Sequence, residues 1–349
     1  MVDLHKGFEG FESLGPSKKE KKEEELSLSK HGGEEGLDKP SSDLAKAEAA
    51  YDIMLNFVTT VFNKVAEGEE GKIKGEEILG WTQEFCDQFR GFISPNDLIR
   101  LVFRHDEYKN NYVYTHSVNV CLLSVRMALE LNFSQDKLQD LVVASLFHDI
   151  GLMKIPEKIW NKDSRLSNAE YEEVKKHVIY GAEIFRNIHG IDETIPLVIS
   201  QYHEKVDGTG YPKGLTKEEI HYLARLISLM DKYEAKTHTR LWRPRFLPDK
   251  AIQQILDNEG GSFDPHYVRT MLKCISIFPV GSWVRISTGE IGEVIETNPN
   301  TPMRPLLNVV YDRNRRKLQE ERKLDLSKQF LIHVEHCIDP NEIEASQGS

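Results

Sequence analysis

The hydrophobic period of this chain changes once, near residue 279, and this change limits the fold more than any other feature. Before it, apolar residues such as Ala47, Tyr51 and Leu55 recur at helical spacing, which is typical of amphipathic helices. After it, the stretch GSWVRISTGEIGEVIET alternates apolar and polar residues around a Thr-Gly turn, as strands do. The sequence therefore predicts a mainly α-helical protein with a small, β-barrel-like module at its C-terminal end.

The same patterns, taken with composition, divide the 349 residues into five predicted segments. The first 40 residues are rich in Lys, Glu, Ser and Gly, and they hold too little apolar surface to offset the entropy cost of ordering. We expect a disordered tail over 1–40, an N-terminal helical region over 41–104, a second helical domain over 105–278, the β module over 279–338 and a tail over 339–349.

Charge and cysteine content exclude several classes of partner. The formal net charge is -11, which argues against binding a nucleic acid polymer by bulk attraction. No apolar run is long enough to cross a bilayer, and the first residues lack the pattern of a signal peptide. The four cysteines are scattered without metal or disulfide spacing. We therefore expect a protein of the reducing cytoplasm that contacts no membrane.

The stretch LFHDIGLMKIP raises the question of chemistry, because His148 and Asp149 stand side by side where a helix is predicted to end. A capped helix end is one interpretation, since histidine is stable near a C-terminal dipole. Metal binding is the other, since both side chains are good ligands for divalent ions.

Further ligand-type residues recur at intervals of about one helix and its turn, and these favour the metal. The set is His116, His148, Asp149, His177, His203 and Asp231. Antiparallel helices with short loops can bring such positions to one level of a bundle. Four histidines and two carboxylates suffice for two ions if Asp149 bridges them. A lone histidine in a helix is more often a hydrogen-bonded or exposed side chain than a metal ligand. The hypothesis therefore rests on the order and the sequence context of the six residues, not on any one of them.

A second dense stretch, HEKVDGTGYP, follows at 203–212. Its glycines and proline enforce turns. It could be a surface loop between helices, or a rigid loop beside the metal centre in which acidic side chains support the ligands or the loop itself. The residues assigned to this loop are Glu204, Asp207, Gly208, Gly210, Tyr211 and Pro212.

The HDIG and HEKVDGTGYP stretches resemble the two defining motifs of the HD-GYP family of cyclic di-GMP phosphodiesterases. YTHSVNV, KKHVIYG and LMDKYEAKTHTRLWRP resemble the other ligand-bearing segments of that family, in the same order, over roughly 105–275. The resemblance implies an HD-type helical bundle, the same six metal ligands, and hydrolysis of cyclic di-GMP to pGpG or further to GMP. It favours iron or manganese, while mixed histidine and carboxylate ligation also suits zinc.

Four positions depart from the family pattern. Tyr202 stands where the family has the first of two histidines, and Tyr112 where members with three metals have a glutamate. Leu152 replaces a common lysine after HDIG, and Glu234 replaces an aspartate. These departures predict two divalent metal ions per chain and put the catalytic rate in question.

The catalytic assignment is Asp149 with Lys154, and the substrate-binding assignment is Lys154, Tyr202 and Arg240. A doubly negative ligand in an acidic protein needs local cations, although each cation taken singly could be a solvated surface residue. The alternative function is a cyclic di-GMP-binding adaptor with little or no turnover. Cyclic di-GMP is the expected ligand, and GGDEF-domain proteins and a second copy of the chain are candidate partners.

Overall fold

A computed structural model describes residues 42–91, 94–104, 112–240, 243–259, 261–298 and 300–345. The tail predicted over 1–40 lies outside these residues. The α-helices are α1 (Ser42–Ala66), α2 (Gly75–Gly91), α3 (Pro95–Arg104), α4 (Tyr112–Glu130), α5 (Gln135–Leu146), α6 (Glu157–Trp160), α7 (Asn168–Val174), α8 (His177–Arg186), α9 (Thr194–Gln201), α10 (Tyr222–Thr237), α11 (Pro248–Glu259), α12 (Pro265–Cys274) and α13 (Pro340–Ala345). Short 3-10 helices occupy Glu70–Lys72, Ile150–Lys154 and Leu326–Lys328.

Helix α4 is the centre of the helical part. It packs against α1, α3, α5, α10 and α12. Its residues from His116 to Ala128 are buried on every side, as expected for a helix whose sequence is apolar over nearly its whole circumference. The first predicted metal ligand is therefore held in the most enclosed helix of the bundle.

The alternating stretch GSWVRISTGEIGEVIET folds into two strands as predicted, and three further strands follow among the described residues. They are β1 (Trp283–Ile286), β2 (Ile291–Glu296), β3 (Leu306–Tyr311), β4 (Lys317–Asp325) and β5 (Val334–Ile338). All neighbouring pairs are antiparallel, in the order β4-β3-β2-β1-β5. Over the described residues this is an open sheet, so its closure into a barrel stays a prediction.

The sheet has its own small core and contacts the helices at one side. Val284, Val294 and Leu307 are fully buried together, and Leu247 from the helical part packs against them. The backbone N–H of Cys337 donates to Asp249 Oδ2 at 3.4 Å. The module is thus joined to the bundle near α11, and also at α3, where Arg100 Nη2 donates to the Ile295 carbonyl oxygen at 3.4 Å.

Residues 339–349 were expected to be a tail, and the structure differs there. Helix α13 covers part of that segment, and Ile343 is buried beside Ile291 and Ile338. A single apolar side chain between acidic neighbours gave too weak a pattern to indicate the helix. Across the described residues, no helix combines the length and the apolar character that crossing a bilayer requires.

Candidate metal centre

The six predicted ligands come from different elements. His116 lies in α4 and Asp231 in α10; His177 is the first residue of α8, and His203 follows α9. His148 and Asp149 lie between the end of α5 and the 3-10 helix, so the predicted helix end is present. The structure brings the six side chains together at one level of the bundle.

Two overlapping groups of three side chains make up most of the cluster. We call His116, His148 and Asp149 the first triad, and Asp149, His177 and His203 the second triad. Within each triad, one ligand atom per residue lies within 4.8 Å of the others, which is close enough to hold a metal ion.

Asp149 presents a different oxygen to each triad. Its Oδ2 atom lies 3.4 Å from His148 Nε2 and 3.6 Å from His116 Nε2. Its Oδ1 atom lies 3.4 Å from His177 Nε2. A carboxylate that bridges two metal ions must offer one oxygen to each, and this arrangement agrees with the role predicted for Asp149.

Asp231 contacts one histidine of each triad. Its Oδ1 atom is 3.1 Å from His116 Nε2, and its Oδ2 atom is 3.9 Å from His203 Nδ1. A second carboxylate therefore lies on the same cluster, and the donor set of four imidazoles and two carboxylates fits divalent transition metals.

Backbone carbonyl groups fix the orientation of two of the imidazoles. The Nδ1 atom of His148 is 2.7 Å from the Ser145 carbonyl oxygen, and Nδ1 of His177 is 2.5 Å from that of Val174. Each Nδ1–H donates to its carbonyl, so each Nε2 atom faces the centre with its lone pair available. Such bonds behind a histidine are the usual way in which proteins set a metal ligand.

Gly151 is required by the close approach of the two halves of the centre. A Cβ atom at this position would lie 2.0 Å from the His177 carbonyl oxygen and 2.6 Å from the Gly181 nitrogen. Any larger residue would push the His148-Asp149 turn away from the start of α8. The glycine of the HDIG motif therefore allows the His148-Asp149 turn to pack against the start of α8.

Burial and neighbouring charges prepare these groups for a cation. Burial lowers the pKa of His177 and His203, so both imidazoles are neutral, as metal ligation requires. Burial opposes ionisation of Asp149, but the adjacent His148, together with His116, outweighs it and holds its pKa well below the usual range. The bridging carboxylate is therefore ionised at neutral pH.

Glu234 supports the first triad from behind, a role that the sequence analysis did not assign to it. This side chain is fully buried. Its Oε2 atom lies 2.5 Å from His116 Nδ1, and its Oε1 atom accepts from Asn119 Nδ2 at 3.2 Å. Burial lowers the pKa of His116, but the Glu234 and Asp231 carboxylates together outweigh burial, and the pKa rises to about 9. The available signal was its position three residues after Asp231 on α10, on the same helix face.

Arg240, assigned to substrate, lies behind the centre. Its Nη2 atom is 3.1 Å from Glu234 Oε2 and 3.1 Å from His116 Nδ1. Its guanidinium lies over the Tyr112 ring, 5.0 Å from the ring centroid. The cation is therefore next to the first triad and balances the buried Glu234 charge.

Lys154, assigned to catalysis and to substrate, has a different environment. Its ammonium is 2.7 Å from Glu70 Oε1. It lines a cavity with Tyr180 and Glu183, on α8. In the part of the chain that the structure describes, it contacts neither triad, because the 3-10 helix after Asp149 directs it toward the Glu70–Lys72 turn.

Tyr202 is enclosed within the second triad. Its side chain is fully buried. The hydroxyl donates to Asp149 Oδ1 at 2.6 Å and also contacts His177 Nε2. Burial and the Asp149 carboxylate raise the phenol pKa well above its ordinary value, so the group is a neutral donor. The phenol thus lies between two atoms that the second triad offers to a metal.

The two acidic side chains of the 203–212 stretch hold the loop, and they do not contact the ligands. The Glu204 carboxylate accepts from the backbone N–H groups of Lys213 at 2.6 Å and Leu215 at 3.0 Å. Asp207 accepts from the Thr209 N–H at 2.9 Å and from Ser262 Oγ at 3.0 Å.

Close packing inside this loop explains its glycines and its contact with the centre. A Cβ atom on Gly210 would lie 2.3 Å from the Lys205 nitrogen, and Gly208 has a φ of +78°. The next ring, that of Tyr211, packs on His203 with ring centroids 4.7 Å apart, and Pro212 follows it. The loop is therefore a rigid cover over one ligand of the second triad.

Two family matches divide the chain where its hydrophobic period changes. Residues 101–267 match the HD domain, and residues 283–346 match the KOW domain associated with the HD domain. Residues 101–267 of the chain are thus similar to the HD domain. The resemblance to HD-GYP proteins that the two motifs predicted is confirmed.

Curated relatives are similar over about two thirds of the chain. The cyclic di-GMP phosphodiesterase PA4108 of Pseudomonas aeruginosa is 32% identical over 234 residues, which cover 67% of this chain and 56% of the relative. The cyclic di-GMP phosphodiesterase PdeB of Borreliella burgdorferi is 28% identical over 250 residues, which cover 69% of this chain and 64% of the relative. The HD-domain chain thus spans less than two thirds of the length of either relative.

A solved structure shares the fold. Bd1817, an HDG"Y"P protein from Bdellovibrio bacteriovorus, superposes with a TM-score of 0.53 at 22% identity, covering 67% of this chain and 73% of that chain. At this identity the match supports the helical architecture alone.

Proposed function

We propose that the protein is a metal-dependent phosphodiesterase that hydrolyses cyclic di-GMP to pGpG, and further to GMP, at a centre of two divalent ions. The observation that carries the proposal is Asp149, which directs one carboxylate oxygen toward each of two histidine-containing triads. The names of the curated relatives support the substrate and the reaction.

In this proposal the metal ligands are His116, His148, Asp149, His177, His203 and Asp231. The first ion would be held by the first triad and Asp231, and the second ion by the second triad. Iron or manganese is favoured, and zinc also suits these donors. Two ions at such a centre would activate water and offset the negative charge that develops on the phosphate.

The remaining residues act on this centre by position and charge. Glu234 and the two backbone carbonyls orient the imidazoles, and the Tyr211 ring covers His203. The Tyr202 hydroxyl is placed to donate a hydrogen bond beside Asp149, either to the carboxylate or to a phosphate oxygen. Arg240 supplies positive charge next to the first triad. Lys154 has no catalytic or substrate-binding role in this proposal, because its ammonium is paired with Glu70.

The second candidate function is a cyclic di-GMP-binding adaptor with low turnover. One observation favours it: the Tyr202 phenol lies between Asp149 Oδ1 and His177 Nε2, where it competes for two ligand atoms of the second triad. A centre that retains only the ion of the first triad would bind a phosphate but hydrolyse it slowly. Neither GGDEF-domain partners nor a homodimer gains support from the structure.

Turnover and metal content together separate the two functions. The full chain is purified without oxygen, its metals are counted by mass spectrometry, and cyclic di-GMP hydrolysis is followed by chromatography with added Mn²⁺ or Fe²⁺. Two ions per chain with turnover support the phosphodiesterase. One ion per chain, with binding of cyclic di-GMP and no product, supports the adaptor. Three ions per chain would contradict the proposed centre.

A further inference from the structure

A cavity of about 370 Å³ lies beside the start of α4 and is distinct from the metal cluster. Its floor is formed by the partly buried rings of Tyr112, Tyr114 and Trp160, and its rim by the exposed polar side chains of Asn63 and Glu157. We propose that this cavity binds a guanine base of the cyclic dinucleotide and selects guanine over adenine. The inference rests on the proposed function and adds a base-recognition site to it.

The cavity adjoins the metal centre through two of its lining residues. Tyr112 precedes His116 by four residues on α4, and residues at this spacing are neighbours on a helix surface. Met153, which also lines the cavity, lies in the 3-10 helix that begins directly after Asp149. A nucleotide whose phosphate is held at the first triad therefore has this cavity as a neighbouring space for its base.

The aromatic floor is held in place by hydrogen bonds, and the Arg240 guanidinium covers one face of the Tyr112 ring. The Tyr112 hydroxyl donates to the Trp160 carbonyl oxygen at 2.8 Å, and the Trp160 Nε1–H donates to the Ile155 carbonyl oxygen at 3.1 Å. The two rings lie 6.2 Å apart at 59°. Proteins that bind unstacked bases commonly hold them against such rings.

The rim carries the two groups that read the edge of a guanine. The Tyr114 hydroxyl donates to Asn63 Oδ1 at 3.2 Å, which orients the amide and leaves its NH₂ group as a donor for the guanine O6 atom. Glu157 is the acceptor for the N1–H and the 2-amino group. Burial, together with the Glu157 carboxylate, raises the pKa of Tyr114, which places that negative charge beside the aromatic floor.

Adenine would be rejected by the same pair. It lacks the 2-amino group, and its N1 atom is an acceptor that would face the lone pairs of the Glu157 carboxylate. A site built to bond a donor discriminates against an analogue without it, because the analogue forms no hydrogen bond to replace the one that the acceptor makes to water.

The experiment compares Glu157→Gln with the matched control Asp163→Asn, an exposed acid on the next loop, outside the cavity lining. The metal-loaded full chain is assayed with cyclic di-GMP, cyclic di-AMP and the base-free diester bis(4-nitrophenyl) phosphate. Glu157→Gln is expected to lower kcat/KM for cyclic di-GMP about tenfold or more and to leave the base-free diester unchanged. Trp160→Ala is expected to lower kcat/KM for both dinucleotides by a similar factor.

Other results would overturn the inference. Equal losses for cyclic di-GMP and the base-free diester in Glu157→Gln would mean that Glu157 supports the fold or the metal centre. No loss in either Glu157→Gln or Trp160→Ala would mean that the base lies elsewhere.

A binding measurement keeps the inference separate from the proposed function. GMP and AMP are titrated against the full chain while tryptophan fluorescence is followed, with Trp160→Phe to identify the Trp160 signal. From the quenching of this signal, the dissociation constant for GMP is expected to be at least about tenfold lower than that for AMP. Glu157→Gln is expected to remove this difference. Equal binding of GMP and AMP by the wild-type protein would overturn base selection, whether or not any diester is hydrolysed. Selective GMP binding without turnover would sustain the cavity assignment while the phosphodiesterase proposal fails.

Discussion

The first triad and the second triad share Asp149, but different groups lie behind them. In the first triad, His116 is backed by the buried carboxylate of Glu234 at 2.5 Å. In the second, His177 is backed by a neutral backbone carbonyl, and its metal-facing nitrogen contacts the Tyr202 phenol. A carboxylate behind a histidine increases its basicity as a ligand, whereas a phenol in front of one competes with the metal. For the proposed centre of two ions, the difference predicts tighter binding of the first ion than of the second.

The largest expected effect comes from changing the residue that both triads share. Asp149→Asn keeps the shape of the side chain but removes the charge between the triads. We expect metal content to fall below one ion per chain and cyclic di-GMP hydrolysis to fall by more than about 100-fold, because the loss of an outer-shell partner alone can cost up to about that factor. Metal analysis and product chromatography check this. Two ions per chain and full turnover in Asp149→Asn would show that Asp149 does not bridge.

The next effect should be confined to the first triad. Glu234→Gln removes the carboxylate behind His116 and is expected to weaken the tighter ion by about 10–100-fold, with little change for the weaker ion. Competition with a fluorescent chelator measures both affinities. Glu130→Gln is the control, since Glu130 lies at the far end of α4 and pairs with Lys273 at 2.6 Å. An equal loss at both ions would argue for a general structural role, and circular dichroism tests whether the variant is folded.

A smaller effect of opposite sign is expected in the second triad. Tyr202→Phe removes the donor to Asp149 Oδ1, so this oxygen becomes fully available to the second ion. Since one hydrogen bond contributes about 0.5–1.5 kcal/mol net, the second ion should bind roughly 2–10-fold more tightly. The same chelator titration measures this, with Tyr180→Phe as the control. Weaker binding of the second ion would mean that the phenol helps to hold it, and the comparison between the triads would have to be reversed.

Removing the sheet module should affect neither triad. A chain that ends near residue 278 lacks β1 to β5 and α13, and none of the contacts described between the module and the bundle includes a proposed ligand. We expect unchanged metal content per chain. The melting temperature should fall, because Leu247 and Phe278 lose the core against which they pack. Loss of the ions on truncation would show that the module completes the metal centre.

The sequence was sufficient to predict the strands of the GSWVRISTGEIGEVIET stretch and the set of side chains that the structure brings together, but not strand β4, whose residues are mostly exposed and charged. Adjacency of His148 and Asp149 and the regular order of the other ligands are local patterns, and helix geometry turns them into a cluster. Other contacts near the centre join residues that lie far apart in the sequence. The contact of His116 with Glu234 joins residues 118 positions apart, and that of Lys154 with Glu70 joins residues 84 apart. Such pairs depend on how the helices pack, so the spacing of Glu234 from Asp231 indicates a shared helix face but not the contact with His116.

The shared position of Asp149 has a thermodynamic consequence. A carboxylate that ligates two ions makes the two binding equilibria a linked system, in which each ion changes the affinity for the other by the same factor. A dissociation constant for either triad is then defined only at a stated occupancy of its neighbour. In the proposed centre, a chelator that removed the more weakly held ion would also change the affinity for the ion that stays, so the two metal-binding steps would be coupled.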